Sequence, residues 1–310
     1  MTRHISLFLL LLASLCASAQ ETFMYARRDT CSLYLDIHRP AASAQTDFEG
    51  VRKPAVMFVF GGGFAMGARN ESYFRDWFST LTDNGYTVVS IDYRLGMKGY
   101  HMGKGLSGAL KSLDRFVASQ QMGVEDVFSA VSYLAAHPEL GVPADNIVLA
   151  GSSAGAIISL ACANAVANGK AEGLPDGFRF KGVMSFAGGI ISSNGAPSFA
   201  TAPCPMLLFH GTADNAVAYR HYGAFGKGIW GSDYIARQLR KKGWNCCIWR
   251  FKGRAHDVAM YMYHLWHIEK DFLERNVMRN VPCDMDAMVD DPSLPVWKEW
   301  GNLSVEDMYK

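Results

Sequence analysis

The stretch Asp145–Ala167, DNIVLAGSSAGAIISLACANAVA, decides how the rest of the chain is read. Ile147–Ala150 is an unbroken apolar run, the pattern of a strand buried on both faces. Ala154–Ala167 is apolar and rich in alanine, the best helix former. Between them Gly151-Ser152-Ser153-Ala154-Gly155 fits G-x-S-x-G, in the strand–turn–helix setting that gives the pattern meaning. A serine on so tight a turn is held in a strained conformation, and its neighbours must be small for the turn to close. The helix start then sets backbone N–H groups and the positive end of a dipole beside it. The bland alternative is a glycine-rich turn in which Ser152 or Ser153 merely caps a helix.

Working outward, apolar runs recur at Ala55–Phe60, Thr87–Ile91, Gly182–Ala187, Met206–Phe209 and Cys246–Phe251, most of them ending in glycine. Helical patterns lie between or after them at Val124–Ala136, Tyr234–Lys242 and Val258–Val277. Strands alternating with helices predict a mostly parallel central sheet with helices on both faces, an α/β fold in one domain over residues 20–310. Tyr25–His38 should add one or two antiparallel edge strands. The Asp-, Pro- and Trp-rich tail, 282–310, should pack on the surface. Residues 94–124 read as a long loop at the pocket rim or, equally well, as a surface helix plus a variable loop.

Arg3 and His4, the apolar stretch Ile5–Leu15 and the small residues Ala17-Ser18-Ala19 read as a signal peptide over residues 1–19, which implies a secreted or periplasmic protein. Cys16 offers a lipoprotein alternative, weakened by the bulky Leu15 before it. No later stretch is long and apolar enough for a membrane span. Net charge is +1, with basic residues scattered, which gives no electrostatic case for a nucleic-acid partner. Arg240-Lys241-Lys242 reads as a solvated helix end. Beyond Cys16 there are six cysteines whose spacing fits no zinc pattern and fixes no disulfide pairing; buried free thiols serve equally well.

Several segments together resemble the esterase and lipase branch of the α/β-hydrolase superfamily, in its carboxylesterase and hormone-sensitive-lipase-like groups. Pro54–Phe64 resembles the strand and H-G-G-G-F loop, Val88–Leu95 (VVSIDYRL) the following strand, Asp145–Gly155 the nucleophile elbow and His210–Val217 (HGTADNAV) the acid loop. The likeness spans most of 55–277. It departs from the pattern at Phe60, where the related families carry His before the glycines.

The resemblance implies an α/β-hydrolase fold and a Ser–Asp–His chain order. A serine hydroxyl needs an imidazole to take its proton, and the imidazole needs a carboxylate to fix its tautomer. Ser153, Asp214 and His256 fill those places. The rivals of His256 are His210, His221, His264 and His267; Asp233 is the rival of Asp214 but looks like part of a helix start. The N–H groups of Gly62, Gly63 and Ala154 would form the oxyanion hole. Phe64, Tyr100 and His101 are candidates for substrate contact. The expected activity is hydrolysis of a small-molecule or carbohydrate ester through an acyl-enzyme, without metal or organic cofactor, acetyl and feruloyl groups being the suggested acyl parts. A prolyl-oligopeptidase-type peptidase and a non-catalytic binding protein are the alternatives.

Overall fold

The computed structural model describes residues 20–103 and 105–297; the expected signal peptide and the last part of the tail, 298–310, lie outside the described residues. In chain order the elements are β1 (Glu21–Arg27), β2 (Ser32–His38), β3 (Asp47–Phe48), β4 (Val51–Arg52), β5 (Ala55–Val59), α1 (Arg75–Asp83), β6 (Val88–Ile91) and α2 (Gly105–Ala136). Then come β7 (Ile147–Ser152), α3 (Ala154–Ala167), β8 (Gly182–Phe186), β9 (Gly189–Ser192), β10 (Met206–Gly211), β11 (His221–Ala224) and β12 (Lys227–Gly231). The chain closes with α4 (Ser232–Lys241), β13 (Cys246–Phe251), α5 (Trp266–Asp271) and β14 (Asp284–Val289).

Nine strands form one sheet in the order β1-β2-β6-β5-β7-β8-β10-β13-β14. Every pairing from β6 to β14 is parallel; β2 alone runs against its neighbours. The apolar runs read from the sequence are these central strands, and their residues are almost all buried because helices cover both faces. This is the α/β-hydrolase fold. The order of the strands reverses between β5 and β7, the place where open α/β sheets leave a crevice beyond their carboxyl ends.

Four features go beyond the local sequence pattern. Of the two readings of 94–124, residues 105–124 take the helical one, as the first part of α2. Gly123 disguised this: a Cβ there would stand 2.4 Å from Ile158 Cδ1, so this glycine marks close packing on α3 rather than a helix break. The expected long helix Val258–Val277 is broken into turns at His256–Met260 and Met262–Leu265, then α5, then a π-helical stretch over Phe272–Met278. One cause is visible, since the Ala259 carbonyl accepts the Ser152 hydroxyl at 2.8 Å. In the tail, Asp284–Val289 lies at the surface as expected of this segment, but as an edge strand in parallel register with all of β13. Lastly, Cys247 and Cys283 form a disulfide, while Cys31, Cys162, Cys204 and Cys246 are free.

Candidate active site

The elbow follows from steric limits. Ser153 adopts φ 51° and ψ −116°, a conformation a non-glycine residue holds only when its surroundings impose it. Its N–H is fixed by the Phe186 carbonyl of β8 at 2.9 Å. A Cβ on Gly151 would lie 2.3 Å from the Gly155 carbonyl oxygen, and one on Gly155 would lie 1.9 Å from that of Val59. Neither position admits a side chain, so β5, β7 and α3 meet in direct backbone contact beneath Ser153.

The structure brings Ser153, His256 and Asp214 together. Ser153 Oγ is 2.7 Å from His256 Nε2, and His256 Nδ1 is 2.8 Å from Asp214 Oδ2. All three are buried. The carboxylate can only accept, so Nδ1 carries hydrogen and Nε2 is left to accept the serine proton. Burial alone would raise the pKa of Asp214. The nearby His256 charge and hydrogen bonds from His210 and His256 outweigh it, and the carboxyl ends well below its ordinary value. Its Oδ1 accepts the N–H groups of Ala216 and Val217, each at 2.9 Å.

The glycine loop lies against this elbow. A Cβ on Gly61 would be 3.3 Å from Ser153 Cβ. Gly62 and Gly63 have φ of 116° and 62°, and a Cβ on Gly62 would strike the Met66 carbonyl at 2.2 Å. Ala154 opens α3, so its N–H lacks an intrahelical acceptor by geometry. The arrangement therefore sets a hydroxyl with a base beside the glycine loop and the start of α3 at one rim. The His that related families place before the glycines is replaced by a different support. The Tyr93 hydroxyl donates to the Phe60 carbonyl at 3.1 Å, and the two rings lie 4.5 Å apart.

Phe64 is buried with φ 62°, edge-on to Tyr93 and Phe116. The Tyr100 hydroxyl lies 3.3 Å from Ser112 Oγ, and His101 is exposed. Among the described residues neither Tyr100 nor His101 is hydrogen-bonded to Ser153 or His256. His221, His264 and His267 are exposed, and Asp233 is held by arginines 220, 237 and 250. Arg240, expected in a solvated run, pairs with Asp284 and Asp286 of β14.

Three supports have no signal in the sequence. Gln120 of α2 clamps Ile191, giving to its carbonyl at 3.0 Å and accepting from its N–H at 2.8 Å. Ser232 Oγ sits 2.8 Å from His210 Nδ1. A small antiparallel sheet, β11-β12-β9, has no counterpart among the strands predicted from the sequence. Among the described residues no group of acidic, His or Cys side chains could hold a metal, and no helix is long and apolar enough to cross a membrane.

Fold and site together define an α/β-hydrolase. The model of the carboxylesterase family matches residues 15–174, just over half the chain, and the chain belongs to that family. Among solved structures, the apo form of Thermogutta terrifontis esterase 2 aligns with TM-score 0.59 and 24% identity over 84% of this chain and 96% of that one. Its propionate-bound form aligns with TM-score 0.57 and 23% identity over 84% and 95%. Among curated proteins, the non-reducing polyketide synthase ausA of Emericella nidulans is 38% identical over 81 residues, 26% of this chain and 3% of the synthase. The synthase trt4 of Aspergillus terreus is 37% identical over 79 residues, again 3% of its length. The chain thus spans only a small part of the curated relatives it matches.

Proposed function

We propose that the protein is an exported serine esterase that cleaves carboxylic esters through an acyl-enzyme. One observation carries this reading: a hydroxyl on a strained elbow, 2.7 Å from an imidazole whose other nitrogen is 2.8 Å from a buried carboxylate. Ser153 attacks the carbonyl carbon while His256 takes its proton. The tetrahedral oxyanion is met by the N–H groups of Ala154, Gly62 and Gly63, and the alcohol leaves with the proton from His256. Water, activated by the same imidazole, then releases the acid.

Short acyl groups on carbohydrates are the proposed substrates. Tyr222 and Phe225 support this, as they stand exposed on and beside the β11–β12 hairpin, offering flat apolar faces to a sugar. Export is supported by the leader-like start of the sequence and by the disulfide, which an oxidising compartment favours.

Wild type and Ser153→Ala should be compared on p-nitrophenyl acetate and propionate. The variant should lose roughly 10⁵-fold or more in kcat; equal rates would reject Ser153 as nucleophile. A panel of acetylated xylan, feruloylated sugars and aminoacyl p-nitroanilides then assigns the substrate. Preference for the anilides would overturn the ester reading.

A further inference from the structure

A cavity of about 800 Å³ opens on the same rim of the sheet, over β1, β2, β6 and β5. Ser153 is not among its lining residues. Phe60 and Gly67 form part of its wall. Gly67 backs directly onto the glycine loop, for a Cβ there would lie 2.6 Å from the Gly61 carbonyl oxygen. The two sites are therefore neighbours separated by the loop that carries Gly62 and Gly63.

The cavity is lined by five cations: Arg27, Arg28, Arg94, Lys98 and Arg115. Two of them are built into place. Asp126, fully buried, accepts from Arg28 Nε and Nη2 at 3.1 and 3.0 Å and from Arg94 Nε at 2.9 Å. Ser129, Glu125 and the Met122 carbonyl take further N–H groups of the same two guanidiniums. Among the described residues, neither Nη1 has a partner. Asp126 and Glu125 balance the charge of this pair.

Arg27, Lys98 and Arg115 are exposed and make no ion pair among the described residues. Against them stands Asp29, also unpaired; the other acidic wall residue, Asp92, is held by Arg69 at 2.9 Å. Positive charge is thus concentrated here in a chain whose overall charge is only +1. The remaining wall is mixed, with Leu33, Phe60, Leu95 and Met122 apolar and Thr30 and Ser32 polar.

We infer that this cavity binds an organic anion, an apolar body carrying carboxylate or phosphate groups. Guanidiniums fixed by a buried carboxylate keep their orientation without a ligand, so their outward N–H groups are ready for a planar or tetrahedral anion. The volume is that of a small-molecule site. The unpaired cations supply the attraction, which salt should screen.

The test is fluorescence titration of the full chain with 1-naphthyl phosphate, with 1-naphthol as the neutral control. Binding should saturate and weaken as sodium chloride is raised. The triple variant Arg27→Ala, Lys98→Ala, Arg115→Ala should weaken it about tenfold or more. That variant should unfold at the wild-type temperature, because the three side chains hold nothing in place. Ser153→Ala should bind the probe like wild type, so the result stands apart from whether the chain is an esterase. Equal binding by the triple variant, or naphthol binding as tightly as its phosphate, would overturn the inference. Two further arms identify the source of the anion, and either result supports the site. Competition between the probe and a carboxylate-bearing ester makes the anion part of a substrate. A changed rate on neutral p-nitrophenyl acetate without such competition makes it a separate ligand.

Discussion

His210 and Asp214 face each other in the interior, His210 Nε2 lying 3.3 Å from Asp214 Oδ2, the oxygen that also meets His256. Nε2 is also 3.0 Å from the Val217 carbonyl, which can only accept, so Nε2 carries hydrogen and points it at both oxygens. The carboxylate is thereby steered from the side away from His256. Removing a buried hydrogen bond to a charged group costs about 1.5–3 kcal/mol. His210→Leu should therefore lower kcat/KM roughly 10–100-fold, mainly through kcat. His210→Gln keeps a donor and should recover part of that loss. Steady-state kinetics on p-nitrophenyl acetate checks both.

Asp214→Asn should cost about 10⁴-fold in kcat, because the amide lets the imidazole settle in the wrong tautomer. The same variant tests the carboxyl's titration. Its folded pKa lies below the ordinary value of 3.8. Its contribution to stability is thus present in full above that value and is lost as pH falls toward the folded pKa. Urea unfolding should show wild type and Asp214→Asn converging below about pH 4.

Gly155→Ala tests the backbone contact under the elbow. The added methyl would meet the Val59 and Phe60 carbonyl oxygens at 1.9 and 2.6 Å, and backbone cannot swing aside as a side chain can. A loss of about 3 kcal/mol or failure to fold is expected. A thermal midpoint within a degree or so of wild type would contradict the packing described.

Glu269 is fully buried; among the described residues its only hydrogen-bond partner is Trp77 Nε1, at 2.7 Å, and its Oε1 has none. Burial raises its pKa well above 4.5, and the Trp77 bond only partly opposes this. The unfolded chain gives up this proton first, so the group weakens the fold as pH rises from 4.5 toward its folded value. Glu269→Gln should be near neutral at pH 5 and gain on wild type by pH 8, as read by urea midpoints at each pH.

The Cys247–Cys283 bridge spans 36 residues and ties the entry of β14 to β13. Closing a loop of that size is worth about 3–4 kcal/mol through the unfolded chain. Cys283→Ser should lower the thermal midpoint by about 10 °C. It should also expose the segment near 284–289 to proteolysis while leaving esterase kcat largely intact, since β14 lies at the sheet edge away from the switch point.

The sequence by itself determined the central strands and the elbow. Cys246–Phe251 and Ala154–Ala167 occupy the ranges that their apolar runs predict, because an element buried on both faces favours apolar residues and admits a polar one such as Arg250 or Ser159 only with a partner. The G-x-S-x-G turn was equally legible, since only small residues let β5, β7 and α3 touch. What the chain could not reveal locally was decided by partners distant in sequence. Ser152 draws off the Ala259 carbonyl and breaks the last helix, Gly123 makes room for Ile158, and β13 recruits Asp284–Val289 from the tail. The pairing of Ser153 with a base 103 residues on, and of that base with an acid 42 residues before it, belongs to the same class. Residue types nominate the three groups, but only the sheet's strand order carries them to one rim, because hydrogen-bond reach is a property of space and not of the chain.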